Sequence, residues 1–336
     1  MNSKSINFGN ILRKFGILFV LIAICIFFSI AARPVFLTLG NFKNILRQVS
    51  MLGVCAVGMS CVILTGGIDI SVGSVVGLSG MLCAKLMVHF SIHPVLAVVM
   101  ALIVCALIGM FNGFCINRLQ IPPIITTLAM MGLLRGVVYL LCGGLTISGF
   151  TEHFKFIGQG YISEVPFPVI ITIVVFIFGH FFLNRSKYGR YTYGLGGNEE
   201  ATRLSGVNVQ KQKYLLYMIS SLCAGIAGIM MLSRLNSGQP TTGDGLEMQV
   251  VTAVVLGGIS INGGEGKLMG VIFGVLIIGV LQNGLILLSV SSYWQMVVQG
   301  AVLLFAVAFD GATKRTQKKE KIVVKESNQV GVSINN

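Results

Sequence analysis

Ten stretches of the chain carry little or no charge: residues 15–32, 49–68, 70–84, 94–116, 121–142, 165–183, 214–233, 250–264, 268–288 and 293–309. Most reach the roughly 20 residues a helix needs to cross about 30 Å of hydrocarbon. Only helices and closed barrels satisfy their backbone hydrogen bonds in lipid, and runs this long and uniformly apolar lack the alternation of a barrel strand. The pattern predicts an all-α polytopic membrane protein of about ten transmembrane helices. Runs 70–84 and 250–264 are short and adjoin Gly-rich turns, which predicts broken or partly re-entrant helices there. The first run follows Lys4, Arg13 and Lys14 in the manner of a signal peptide, yet its apolar core is long and nine more runs follow, so it reads as an uncleaved span.

Composition agrees, at 54% hydrophobic and 10% charged residues, against about 25% charged in soluble domains. The excess of 24 Lys and Arg over 11 Asp and Glu would suit nucleic acid only on a solvated domain, which this chain lacks. Partition of the basic residues between alternate loops sets the orientation. With the N-terminus inside, 17 of them fall in inside segments and 6 outside, with Arg135 alone within a span. Both termini are therefore expected in the cytoplasm, giving a cytoplasmic N-terminus over 1–14, a transmembrane domain over 15–311 and a basic cytoplasmic tail over 312–336. The eight cysteines lie in apolar stretches without paired ligand spacing and read as small buried hydrophobes, with no metal site. Glycines four apart in Gly73/Gly77, Gly109/Gly113, Gly132/Gly136 and Gly270/Gly274 predict close helix approaches.

Candidate chemistry is sparse. The longest polar stretch between spans, 184–213, contains Asn198 as a helix N-cap, Glu199 and Glu200 in a first turn, and Gly206 as a stop, which predicts a two-turn helix. Ala201 and Leu204 would be available for contact and Arg203 for an acidic partner, as in docking onto a soluble protein; on spacing alone, a solvated loop holding two helices apart is the plainer alternative. Asp69 interrupts an uncharged stretch, where it either caps the third helix, the favoured role, or lines a pathway together with Ser71. Arg135 lies inside a span and must face the bundle interior or snorkel. Asn112, Gln282 and Asn283 can bond the hydroxyls of a polar ligand on a path or, the safer reading, neighbouring helices. Outer loops 143–164 and 234–249 carry Glu152, Glu164, Asp244 and Glu247, groups able to meet a basic partner. GGIDISVG at 66–73 echoes GGISINGG at 257–264.

The blocks ILTGGIDISVGS at 63–74, NGFCINRLQIPPIITTLAMMGLLRG at 112–136, GGNEEATRLSGVNV at 196–209 and SGQPTTGDGLEMQVVTAVVLGGISINGGEG at 237–266 together resemble the ribose-type sugar permeases of ATP-binding-cassette (ABC) importers. Glu200, Ala201 and Gly206 look like a variant of the loop such permeases present to their ATPases, with Thr202 where a second Ala would stand. The resemblance implies a pore subunit that pairs with a second permease subunit as a homodimer or heterodimer. It also implies cytosolic ABC ATPase subunits, an extracytoplasmic sugar-binding protein, residence in a bacterial inner membrane, and alternating access for a monosaccharide such as a pentose. No cofactor is expected on this chain, and ATP would be used by the partner: the nearest approach to a phosphate loop, GGEGKL at 263–268, has Ile261 for the first Gly and Leu268 for the Ser or Thr. A branched-chain amino acid permease is the close alternative. An intramembrane serine protease built on GLSG at 77–80 lacks a histidine at matching depth, and an ion-driven transporter would need acids near the midplane that this chain lacks.

Overall fold

The computed structural model describes residues 8–308 and 311, with side chains from residue 16. Its helices are α1 (Phe8–Ala31), α2 (Leu39–Ile63), α3 (Val72–Val88), α4 (Pro94–Asn117), α5 (Pro123–Cys142), α6 (Glu152–Gln159), α7 (Phe167–Arg185), α8 (Lys187–Gly197), α9 (Glu199–Leu204), α10 (Val209–Leu235), α11 (Leu246–Leu256), α12 (Leu268–Leu287) and α13 (Ser292–Ala308). Two antiparallel strand pairs accompany them: β1 (Ile147–Ser148) with β4 (Ser237–Gly238), and β2 (Tyr161–Ile162) with β3 (Val165–Pro166). The sequence-predicted N-terminal segment falls outside the described residues as far as residue 7, and the basic tail over 312–336 does so altogether.

Six of these helices, α2, α4, α5, α7, α10 and α12, are long and apolar enough to cross a membrane, while Gly16–Ala31, α3, α11 and α13 are shorter apolar helices. Proline sets several starts. Pro94, Pro123 and Pro168 sit in first turns, where a missing N–H costs nothing. Left-handed Gly143 and Asn236 end α5 and α10.

Lipid removes the hydrophobic drive between helices, so close packing and interhelical hydrogen bonds hold the bundle together. Its centre is α2, α3 and α10: 83% of the apolar window of α2 is buried against 17% for α7. Three of the four glycine pairs lie at close approaches. Gly109 and Gly113 of α4 rest on Tyr217, Met218 and Tyr214 of α10; Gly270 and Gly274 of α12 rest on Gly257 and Ala253; Gly73 and Gly77 of α3 face the backbone of Gly243 and Thr242. Gly132 and Gly136 instead look outward, with nothing within 4 Å of a Cβ at either.

Three boundaries differ from the hydropathy pattern. Helix α2 begins ten residues before its apolar run, because Thr38 caps it by accepting from Asn41 N at 3.2 Å and Asn41 is buried against Asn283. Run 250–264 divides into α11 and a glycine-rich turn in which Gly258, Gly263, Gly264 and Gly266 all have positive φ. Stretch 184–213 holds α8 as well as the expected short helix.

Candidate functional site

Two features that the sequence singled out lie at one end of the bundle, and a third lies toward the other. The first is α9. Asn198, with φ −162° and ψ 105°, accepts from Ala201 N at 2.9 Å as an N-cap. Glu199 and Glu200 occupy the first turn, where the helix dipole favours acids. Gly206, at φ +84°, closes the helix by donating its N–H to Arg203 O at 3.0 Å. Six residues make just under two turns. No α9 side chain is buried, and Leu204 is 79% exposed. Glu200 pairs with Arg203 at 2.7 Å, and Glu199 with Lys213 of α10 at 2.7 Å.

Helix α8 connects this tip to the core. Ser186 caps it by accepting from Gly189 N at 3.1 Å. Buried Gln212 of α10 donates to Tyr188 O and to Thr192 Oγ1, and Tyr193 donates its hydroxyl to Gly266 O at 3.0 Å. Gly196 packs so tightly that a Cβ would collide with Leu64 O and Gly264 N. The two echoing turns meet at this point: Gly264 N donates to Leu64 O at 2.9 Å, and Gly263 lies against the Gly66 backbone. The sequence echo is therefore a spatial contact, and α8 is seated on both turns at once.

Past the first turn lies Asp69, fully buried. Its carboxylate accepts from Ser71 Oγ at 2.6 Å, from Ser71 N at 3.2 Å and from Ser220 Oγ of α10 at 2.8 Å. Asn112 of α4 donates to Ser71 Oγ at 3.1 Å, and Thr127 of α5 donates to Ile68 O at 3.1 Å. One acid thus ties the entry of α3 to α10 and, through Ser71, to α4. Asn112 Oδ1, Thr126 Oγ1, Tyr217 Oη and Ser221 Oγ, around the same turn, are buried without a hydrogen-bond partner among the described residues.

Toward the opposite end, Arg135 of α5 clamps the loop between β4 and α11. It donates from Nη1 to Pro240 O and Thr242 O, each at 2.9 Å, and pairs through Nη2 with Asp244 at 2.6 Å. The mostly buried guanidinium thereby satisfies two backbone carbonyls and pairs with the exposed Asp244 carboxylate, which offsets the cost of a charge inside a span. Gln282 and Asn283 face other helices: Gln48 of α2 donates to Gln282 Oε1 at 2.9 Å, and Asn283 exchanges two bonds with Asn41, at 2.8 and 3.0 Å.

Sequence reasoning missed Ser220, Thr127, Tyr193, Gly196 and Gln212. Their contacts are long-range, and only Ser186, a capping residue three places before Gly189, signalled α8. Among the described residues no cluster of His, Cys, Asp or Glu could hold a metal ion.

Residues 41–307 match the family described as branched-chain amino acid transport system / permease component. The chain is 46% identical over 296 residues to the ribose import permease protein RbsC of Escherichia coli, covering 86% of this chain and 92% of that one. It is 42% identical over 309 residues to RbsC of Bacillus subtilis, covering 91% and 95%. The L-arabinose transport system permease protein AraH of Escherichia coli is 37% identical over 315 residues, covering 94% and 95%. No solved structure matches. The family match spans most of the chain, including α2 to α12, the α8–α9 tip, the paired glycine turns and the Asp69 hub, and the chain belongs to the family of transport-system permease components.

Proposed function

We propose that the chain is the membrane-spanning permease subunit of an ATP-driven importer of a monosaccharide, a pentose in the first place, in the bacterial inner membrane. The observation that carries this reading is near-full-length identity of 37–46% to permeases named for ribose and L-arabinose. A branched-chain amino acid as cargo is supported only by the family's description. The ten apolar helices, α1 to α5, α7 and α10 to α13, make ten spans, and both termini lie in the cytoplasm with the α9 end, as the surplus of Lys and Arg in that set of loops directs.

The geometry supplies a route for the work of ATP, which partner ATPases hydrolyse. Helix α9 offers them an exposed Leu204 on the same short helix as the Glu200–Arg203 pair and Glu199, an apolar knob among charged groups. Force on α9 passes into α8 and then, through Gly196, into both glycine turns. From there Asp69 carries it to the start of α3 and to α10. The partly buried Arg135 clamp holds the outer side, and its release from the loop over 239–244 opens the path outward, so that the two ends alternate. The open face of α5, with Ala129, Gly132 and Gly136 exposed, lines the path opposite a second permease subunit. Asn112 and Ser71 act there through the Asp69 hub, whereas Gln282 and Asn283 hold α12 to α2. An extracytoplasmic sugar-binding protein docks on the α6 end, near Glu152 and Glu164.

The test is uptake of labelled ribose, L-arabinose or xylose into sealed vesicles carrying the permease, its ATPase and the binding protein. ATP-dependent uptake with pentose competition is expected. Uptake driven by an ion gradient with no ATPase present would overturn the mechanism, and competition by leucine but not by pentoses would overturn the cargo.

A further inference from the structure

Between α2, α7 and α12 runs an apolar groove of about 420 Å³, open to the side and lined among others by Gly53, Thr172, Ile173, Phe176, Leu268 and Ile272. Its polar groups are few: Thr172 donates to Pro168 O and Ser50 O, Ser50 donates to Leu46 O, and His180, toward the α9 end, bonds the Asn184 side chain at 2.9 Å. The rest of the lining is apolar. Along α7 the lining extends from Val169 to Phe181, a length of about 18 Å at 1.5 Å per residue. One leaflet of hydrocarbon is about 15 Å deep, half of the roughly 30 Å core.

The ends of the groove differ in how their cations are engaged: beside Leu46, Lys43 pairs with Glu164 and Arg47 donates to Gln159 O at 2.8 Å. Its α9 end finishes at Phe181 and Leu268. Lys267 directly precedes Leu268, and Arg185 follows Phe181 by about one helical turn. Both are exposed and form no ion pair among the described residues. Lys187 lies two residues on, and Glu265 is the acid nearest to them in sequence, so this mouth is net basic. Basic pockets between spans on the cytoplasmic side favour anionic headgroups.

We infer that this groove is a lipid site: it seats one acyl chain of an anionic glycerophospholipid, with the phosphate held between Lys267 and Arg185. The length of the groove, its mostly apolar lining and the cations without an ion-pair partner at the α9 mouth select that occupant over a sugar or a partner helix. The site lies where α7 meets α2 and α12, and neither the Asp69 hub nor the Arg135 clamp lines it, so it bears on anchoring of α7 against α2 and α12 and not on the cargo path.

The test uses the full-length permease with its partner subunits. A photoreactive benzoylphenylalanine at Ile173, illuminated in native membranes, is expected to yield an adduct with a phospholipid. An adduct with a second permease or with another protein as the main product would overturn the assignment. In purified material, thermal stabilisation by phosphatidylglycerol is expected to exceed that by phosphatidylcholine, with inorganic phosphate ineffective. The double substitution Lys267→Gln and Arg185→Gln should weaken phosphatidylglycerol binding roughly 30-fold, at about a factor of five per cation near the surface. Ile272→Trp should displace the chain by filling the groove. Equal stabilisation by the two lipids, or by phosphate alone, or an unchanged affinity in the Gln variant, would overturn the proposal even if the Trp variant failed to fold.

Discussion

Asp69 is the residue on which the most structure depends. Alanine in its place leaves Ser71 N, Ser71 Oγ and Ser220 Oγ without their shared acceptor, whereas asparagine keeps all three partners by donating Nδ2 to the Ser220 hydroxyl. Asp69→Ala is expected to destabilise the detergent-solubilised protein by about 1–3 kcal/mol, the usual cost of an unsatisfied buried partner, and to reduce uptake; an unchanged melting temperature would contradict the hub. Arg135→Ala should cut uptake at least tenfold while leaving ATPase association intact. Arg135→Lys should rescue it only in part, because an ammonium cannot span two carbonyls and a carboxylate with the geometry of the guanidinium fork. On the surface at the α6 end, the bond that Lys43 donates to Glu164 holds that carboxyl below the usual carboxylate range. A lowered folded-state pKa means that the contribution of the pair is present above the unfolded value of about 4.3 and is lost as pH falls through the folded value. Melting curves recorded against pH should therefore lose a small acid-side component in Glu164→Gln.

At the scale of elements, the proposed coupling has α9 receive and α8 transmit. Gly196→Val should wedge α8 away from Leu64 and Gly264, and the expected phenotype is uncoupling: ATP hydrolysis by the assembled complex persists while sugar uptake falls. Loss of assembly itself would instead place the fault in folding. Glu200→Lys combined with Gly206→Pro should abolish both ATPase association and uptake with membrane insertion retained, since φ +84° is closed to proline. Retained uptake in that double variant would overturn the docking role. The short helix was legible beforehand because capping chemistry is local: Asn198, two acids and Gly206 specify it within nine residues. Helix α8 was not, because KYGRYTYGLGG is rich in glycine and tyrosine, and it is tertiary seating on Gln212 and Gly266 that makes it a helix. The first turns of α2 were hidden for the same reason. Asn41, Lys43, Arg47 and Gln48 read as loop until their partners Asn283, Glu164, Gln159 and Gln282 are in place.

For the whole molecule, apolar runs gave the helical class and the approximate position of the six helices long and apolar enough to cross a membrane, because lipid permits so few alternatives. They could not show that GGIDISVG and GGISINGG touch, since two similar turns almost 200 residues apart carry no signal of contact in a single sequence. Nor could spacing separate Gly132/Gly136, which faces outward, from the three pairs that lie at close approaches.

The tip formed by α9 buries no side chain, and its side chains touch the scaffold through the Glu199–Lys213 pair and through Thr202 against Gly194. Natural selection can therefore rewrite it without disturbing the buried core, and a transplant becomes feasible. Grafting residues 198–206 from a relative that works with a different motor should switch which motor is recruited in pull-down assays, with the melting temperature of the recipient essentially preserved.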